Sequence, residues 1–493
     1  MNLIFAYRKS IFLLLIIPIF GMQDVAAPRH KPINILLIAI DDMNNWVGAF
    51  GGQAKTPNID RLAYQGVTFT NAYCAVPACN PSRTAIMTGQ RPETTRQFEN
   101  AGNFREKPGG KDRLTLPAYL RQKGYETIAA GKIFHQPRGA GKTPNPISDP
   151  DSWTFQQSGE VGTPGHKQYL DDYDQALWME LPTGKSQKPE QTGGEYLTKF
   201  GVWGPIPQPK EDCGDWKMAD FGARFLQEKH EKPFFLAIGI SRPHSPQLAP
   251  QEYFDRYPLD QIWVPEFPAN DMDDIPPFAQ SNFSSPFVRK VLEKDQLPKA
   301  VQGYLASMSF ADDCVGRVLD ALDNSPYKNN TIVVFWTDHG WQLGHKFRWE
   351  KYSLWRQGTN TPLVIRYPGM KTGGNKCHQA VSLMDLFPTI LDLLNQPKPD
   401  FLEGQSLAGL LKKPTSKRSV PAVVTYPEGS HSVVFQQWNY ILYKDGSEEL
   451  YNHLSDPNEY ANLATSPQYR ELMDGLKQWI PEQDTLNQTN KAN

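Results

Sequence analysis

The chain is predicted to be an α/β protein, with a mostly parallel central sheet flanked by helices on both faces and a smaller C-terminal antiparallel sheet carrying a helix. Three observations predict this. Short, near-continuous apolar runs recur along the 493 residues, amphipathic segments separate them, and each run empties into a polar cluster or a turn. Strands covered on both faces read as unbroken apolar runs, whereas half-exposed strands alternate. Alternation of such runs with helical patterns points to helices packed on both sides of a parallel sheet.

The first run, residues 33–40 (INILLIAI), leads into Asp41 and Asp42. A helical pattern over 116–123 precedes the second, 125–130 (YETIAA), which leads into Gly131, Lys132 and then His135. Another over 215–227 precedes 233–240 (PFFLAIGI), followed by Ser241, Arg242 and His244. The long amphipathic segment 300–323 sets Leu305, Met308, Val315, Leu319 and Leu322 close to helical spacing. It precedes 331–336 (TIVVFW), which runs into Asp338 and His339, and a last run, 362–367 (PLVIRY), stops at Pro368-Gly369. In open α/β sheets ligands bind beyond the carboxyl ends of the strands, and that is where the polar clusters fall.

Two stretches break this rhythm. Residues 136–214 are rich in Pro, Gly and aromatic residues and read as an insertion that builds substrate walls; residues 257–298 form a second such stretch. After a helical pattern at 385–394 and a basic segment at 412–418 come short runs at 421–426, 432–437 and 440–443, a turn at Asp445-Gly446, and a helical segment at 468–479. The expected organisation is a leader over 1–27, a catalytic domain over 28–418 and a C-terminal subdomain over 419–493.

The leader is read from Arg8 and Lys9, the apolar residues 11–20 and the small residues Gly21, Ala26 and Ala27. A basic opening, an apolar stretch too short to span a bilayer and small residues behind it describe an export signal; an uncleaved anchor or a buried helix is the alternative. No second run of about 20 apolar residues follows, so a periplasmic or secreted protein without a stable membrane anchor is expected. The 51 basic and 53 acidic residues give a formal charge of -2, which speaks against nucleic acid as a partner. Five cysteines are an odd number for an exported protein. Cys79 is the odd one; Cys74, Cys213, Cys314 and Cys377 are two disulfides or four buried thiols.

Asp41-Asp42 and Asp338-His339 bring two acidic pairs to one edge of the sheet. Carboxylates so close repel unless a cation lies between them, and oxygen donors favour Ca²⁺ or Mg²⁺ over structural zinc. Pro81 suits a helix's first turn, which places Cys79 at or just before a helix N-terminus, an end that favours an anion. The fragment 139–143 (GAGKT) lacks the first glycine of a phosphate loop. His166, His230, His378, His431 and His453 lie off the strand-end pattern and read as surface or structural.

Cys79-Asn80-Pro81-Ser82-Arg83 with a Thr-Gly downstream resembles the signature of the formylglycine-dependent sulfatases, of the alkaline-phosphatase-like superfamily. The resemblance spans most of residues 32–465, including ILLIAIDDMNNW, GYETIAAGKIFHQ, RPH, WTDHGWQLGHKFRWEKYSLW and ELYNHLSDPNEYANLA. The GKIFH spacing is similar to iduronate-2-sulfatase and its bacterial relatives. The resemblance implies that a maturase oxidises Cys79 to formylglycine (3-oxoalanine), whose hydrate is the nucleophile. It implies one Ca²⁺ held by Asp41, Asp42, Asp338 and His339 with residue 79. Arg83 would steady the hydrate, Lys132 and Lys351 would hold sulfate oxygens, His135 would handle the proton on the hydrate, and His244 would stand by the leaving group. Relatives commonly read Leu-Gly-Glu where this chain has Leu343-Gly344-His345, a departure that bears on the substrate.

The chemistry asked of such residues is consistent with those roles. Sulfate monoester hydrolysis needs a nucleophile that can later be shed, positive charge on the sulfuryl oxygens and a proton for the leaving alcohol. The expected substrate is a sulfated glycan or its oligosaccharides, with Arg242, His345 and Lys346 as candidate substrate contacts. Phosphate or phosphonate monoester hydrolysis, or non-catalytic glycan binding, is the alternative.

Overall fold

The computed structural model describes residues 32–135, 149–157, 203–266 and 268–481. Five apolar runs become five strands of one nine-stranded sheet: β1 (Asn34–Asp41), β3 (Glu126–Gly131), β5 (Phe234–Pro243), β6 (Thr331–Thr337) and β7 (Asn360–Arg366). The others are β2 (Val67–Tyr73), β4 (Phe155–Gln157), β8 (Lys376–Cys377) and β9 (Val381–Ser382). Their spatial order is β8-β2-β7-β6-β1-β5-β3-β4, with β9 also on β2. Only β7 runs antiparallel to its neighbours, β2 and β6. The carboxyl ends of β1, β2, β3, β5 and β6 therefore share one edge, and β7 starts there.

Side chains of β1 alternate between two cores. Leu36, Ile38 and Ile40 pack with helices α1 (Pro57–Gln65), α4 (Gly214–Phe225) and α5 (Leu297–Asp323). Ile35, Leu37 and Ala39 pack with α2 (Cys79–Thr88), α3 (Leu116–Gln122) and α6 (Leu386–Leu393). Every β1 residue is buried, as continuous apolar character requires. At the functional edge the β1–β5 ladder slips: Ile40 faces Ile240, but Asp41 faces Pro243. The slip parts two central strands where the acidic residues emerge.

A four-stranded antiparallel sheet, β10 (Ala422–Thr425), β11 (His431–Phe435), β12 (Trp438–Leu442) and β13 (Glu448–Asn452), follows. One face, through Val424, Val434, Ile441 and Tyr451, joins the core of the large sheet. The other packs Val433, Tyr440 and Leu450 on Met473 and Leu476 of helix α7 (Arg470–Lys477). The sheet is thus built against the main core.

Several local expectations change. Residues 257–298 are not one long loop: they hold helices at Pro277–Phe283 and Pro286–Glu293. β2 and β13 are strands beyond those predicted, and α5 begins three residues before the expected 300, with Pro298 in its first turn. Cys74, Cys213, Cys314 and Cys377 are buried free thiols, which decides between the two cysteine readings. Residues 1–31, the fragment 139–143, His166 and most of 136–214 lie outside the described residues; the described parts of that stretch supply β4 and the strand Trp203–Ile206.

Candidate active site

Cys79 is the first residue of α2, a helix buried along its whole length, and Ala78 precedes it in extended conformation. The first-turn N–H groups are taken up locally, Asn80 by Asn100 Oδ1 (2.9 Å) and Ser82 by the Ala78 carbonyl (3.1 Å), and Pro81 has none, so the helix head brings the Cys79 side chain to the strand ends. The ends of four strands, β1, β3, β5 and β6, meet it there. Lys351 Nζ lies 3.0 Å from Cys79 Sγ and 2.8 Å from Asp42 Oδ1. His339 Nε2 lies 3.4 Å from Sγ, 3.3 Å from Asp42 Oδ1 and 3.6 Å from Asp338 Oδ1. His244 Nε2 stands 3.8 Å from Asp42 Oδ2, and Lys132 Nζ pairs with Asp41. Lys351 reaches this edge because β7 returns antiparallel, so residues 338–359 leave and re-enter the sheet on the same side.

Arg83, fully buried one turn into α2, holds the acids in place. Its Nε donates to Asp338 Oδ2 (2.8 Å) and its Nη2 to Asp41 Oδ1 (3.2 Å) and the Ile40 carbonyl (3.3 Å). Nη1 donates to the carbonyls of Lys132 (2.6 Å) and Ile133 (3.0 Å). All five guanidinium donors are thereby committed to the carboxylates and to the ends of β1 and β3. Asp215, in the first turn of α4, does the corresponding work for β5, accepting from the backbone N–H of Ser241 (2.9 Å) and Arg242 (2.8 Å).

Asp42 takes a left-handed backbone (φ 62°), which Asp tolerates better than most residues. Tyr304 of α5 fixes that turn: its hydroxyl donates to the Asp42 carbonyl (2.7 Å) and accepts from the Asn44 N–H (2.9 Å). Sequence reasoning passed over Tyr304 and Asp215, since each sits in a helical pattern and looks like core or first-turn polarity.

The electrostatics follow from this crowding. Burial, together with the neighbouring Asp41 and Cys79 charges, outweighs Lys351 and raises the Asp42 carboxyl to about 7. Burial also opposes the Asp41 charge, yet the Lys132 and Arg83 cations hold it well below the carboxylate range. Burial lowers and Asp338 raises His339, which ends up at about 9. Burial alone would raise Cys79, but Lys132 and Lys351 bring its thiol down. His244 is pushed well below 6.5 by burial and by the Lys132 and Lys351 charges. Its Nδ1 lies 2.6 Å from the Ser245 carbonyl. A carbonyl only accepts, so Nδ1 carries the hydrogen and neutral His244 turns a lone pair toward Asp42.

This donor set fits a hard divalent cation. Two overlapping groups, Asp41, Cys79, Asp338 and His339, and Asp41, Asp42, Cys79 and His244, each bring their ligand atoms within 4.8 Å of one another. Asp42 Oδ2 is buried without a hydrogen-bond partner, an arrangement that is costly unless a cation meets it. Each group offers two carboxylates, and such oxygen donors suit Ca²⁺ better than structural zinc.

Other candidates lie at varying removes. His135 is half-buried beside Lys132, and burial plus that charge lowers it to about 3. Arg242 is buried and donates to the His244 carbonyl. Lys346 is 1% exposed, paired with Asp271 at 3.1 Å and set over the rings of Trp355 and Tyr451. His345, buried beside it, is lowered to about 4 by burial and the Lys346 charge. These two residues meet the base of the C-terminal sheet, and no contact joins either to the Cys79 cluster among the described residues.

A family model described as Sulfatase matches residues 33–396, and one described as N-sulphoglucosamine sulphohydrolase, C-terminal, matches residues 344–485. A sulfatase of Formosa agariphila is 35% identical across 93% of this chain and 88% of its own. Iduronate 2-sulfatase of Homo sapiens is 30% identical across 77% of this chain and 72% of its own. A solved protein in complex with its substrate D-glucosamine-2-N,6-O-disulfate aligns with a TM-score of 0.69 at 20% identity, covering 94% of this chain and 98% of that one. At such identity the likeness concerns fold.

Proposed function

The chain belongs to the sulfatase family, and from that premise we propose that it removes O-sulfate groups from a sulfated carbohydrate. One observation carries the reading: a cysteine at a buried helix head, met by Lys351, His339 and Asp42 and backed by Arg83, Lys132 and His244. A sugar rather than a small aryl ester is supported by the likeness to iduronate 2-sulfatase and to a protein bound to a sulfated glucosamine.

Residue 79, converted to formylglycine by a maturase, would supply as its hydrate a nucleophilic hydroxyl and a second hydroxyl able to expel sulfate. Asp41, Asp42, Asp338 and His339 would hold one Ca²⁺, which supplies Lewis-acid charge for the sulfuryl oxygens. Lys351 and Lys132 flank the helix head and offer ammonium donors to an incoming sulfate. His244, neutral with Nδ1 tied back, presents Nε2 as a proton acceptor that would have to take up a proton before giving it to the leaving oxygen, and His135 is poised beside Lys132 for a proton on the nucleophile's side. Arg83 acts as a positioning residue, since its donors orient the acids. Residues 28–418 are proposed to carry these groups, with 419–493 supporting the loop that bears Lys351. Export to the periplasm or medium is proposed from residues 8–27; no helix among the described residues is long and apolar enough to cross a membrane.

The test is sulfate release from defined sulfated oligosaccharides, run beside matched sulfate and phosphate esters, with mass spectrometry of the Cys79 peptide from the native host. Position-specific sulfate loss and a converted Cys79 are expected. Preference for phosphate would make the chain a phosphatase or phosphonate hydrolase instead, and an unmodified thiol without turnover would leave a glycan-binding relative.

A further inference from the structure

A cavity of about 680 Å³ opens elsewhere on the molecule, and none of the groups around Cys79 lines it. Its wall is the loop after β1. There Ala54 N–H donates to the Trp46 carbonyl (2.8 Å) and Gly52 N–H to the Val47 carbonyl (3.0 Å). The fold-back is so tight that a Cβ on Gly52 would sit 2.1 Å from the Trp46 backbone. Trp46 is thereby fixed with its ring 5.4 Å from that of Trp263, at 62°. Trp263 is 54% exposed, yet its backbone is clamped: Gln53 Nε2 donates to its carbonyl (2.7 Å) and Gln53 Oε1 accepts from its N–H (3.0 Å). The Trp263 indole therefore stands exposed at the cavity on a clamped backbone, with one edge against Trp46.

The rest of the lining is equally particular. Asn45, Gln53, Gln357, Asn360 and Asn458 line it with a single charged residue, Arg356, and no acidic one; the Asn45 amide donates to Asn360 Oδ1, and Asn360 Nδ2 donates to the Ala72 carbonyl (2.9 Å). The Arg356 guanidinium donates to Asn71 Oδ1 (3.3 Å) and makes no ion pair among the described residues. Glu459 meets Arg356 only at the backbone N–H (2.8 Å), its other contacts being Asn439 and His453. Asn45 Oδ1 is buried without a donor. An aromatic platform stacks on a sugar ring, amides satisfy hydroxyls, and a guanidinium that no carboxylate neutralises takes a sulfate or carboxylate.

We propose that this cavity is a second, non-catalytic binding site for an acidic oligosaccharide segment, with a sugar on Trp263 and its sulfate or carboxylate on Arg356. The ligand class is read from the lining itself; that the segment belongs to the same chain that is desulfated rests on the carbohydrate reading above.

Calorimetric titration of the full chain carrying Cys79→Ala with a fully sulfated glucosamine–uronate tetrasaccharide tests it, with the same tetrasaccharide desulfated and carboxyl-reduced, so that no anion remains, as comparison. Two sites are expected, falling to one in both the added Trp263→Ala and the added Arg356→Gln, and binding about tenfold or more weaker for the anion-free sugar. Trp263→Ala keeps the backbone clamp, and thermal melting reports that each variant is folded. Unchanged stoichiometry and affinity in both variants overturn the proposal, as does absence of binding, and neither touches the catalytic reading, which sulfate release decides. A single site that both variants abolish supports the cavity while counting against carbohydrate at Cys79. Equal affinity for the anion-free sugar overturns the assignment of an anion to Arg356.

Discussion

Replacing Tyr304 by Phe tests whether the left-handed turn at Asp42 is imposed from a distance. The hydroxyl bridges two buried backbone groups, donating to the Asp42 carbonyl at 2.7 Å and accepting from the Asn44 N–H at 2.9 Å. Burial holds the phenol well above 10, so it stays a donor across the working pH range. Phe keeps the ring and its packing but leaves one carbonyl and one N–H unpaired. Each unsatisfied buried group costs about 1–3 kcal/mol, so the variant should lose about 2–6 kcal/mol of stability. Asp42 also loses the anchor of its φ of 62°, so calcium affinity should fall about 10–100-fold, as for other groups that orient metal ligands. Urea unfolding measures the first effect and calcium titration calorimetry the second. A variant within about 0.5 kcal/mol of the parent that binds calcium equally well would refute the idea that α5 sets the turn.

Three further outcomes follow from the same geometry. Gly239→Ala should unfold the protein or displace Lys132, because a Cβ there would lie 2.2 Å from the Lys132 carbonyl oxygen; circular dichroism and a crystal structure check it. Burial and the Arg91 charge lower His431 to about 4, against about 6.5 when unfolded. The unfolded chain then binds more protons between those values, so stability rises with pH from about 4 to about 6.5, by about 3 kcal/mol from this group. Relative to the parent, His431→Gln should flatten that slope in denaturant melts, and identical slopes would dismiss the assignment. Chelation of divalent ions should lower both sulfate release and melting temperature, and restoring calcium should recover both; a chelator without effect on either would remove the metal from the account.

The five apolar runs were legible because strands buried on both faces cannot afford polar interruptions. β2 was not: Thr68, Thr70 and Asn71 break its pattern where β7 bulges against it. The helices of 277–293 were hidden by Pro277 and Pro286, which read as loop punctuation although a helix's first turn accepts proline without loss. At the site, strand-end residues were legible from position alone, since topology delivers Asp41, Lys132, His244 and Asp338 to one edge. Lys351 was not, because only the antiparallel return of β7 brings it back, and its candidacy came from the family resemblance. Lys346 shows the converse. Its closeness in the chain to Asp338-His339 made it a candidate substrate contact, but its partner Asp271 lies in a stretch with no sequence signal of contact, and the pair is 1% and 2% exposed.

Charge arithmetic gives the strongest physical reason to expect a cation at Cys79. The buried acids Asp41, Asp42 and Asp338 are matched by Arg83, Lys132 and Lys351, three against three, with contacts of 3.2 Å or less linking them. With His339 neutral, as a metal-binding imidazole must be, that cluster is formally neutral and has little to offer a sulfate monoester, and the raised Asp42 carboxyl agrees with a third acid that lysine alone accommodates poorly. A divalent ion held by Asp41, Asp42, Asp338 and neutral His339 would take the balance to two positive charges and favour the ionised form of Asp42. If the metal serves this end, calcium and an unreactive sulfate analogue should each tighten binding of the other, as linkage requires. Independent binding, measured by titrating each in the presence and absence of the other, would mean that the lysines alone carry the anion.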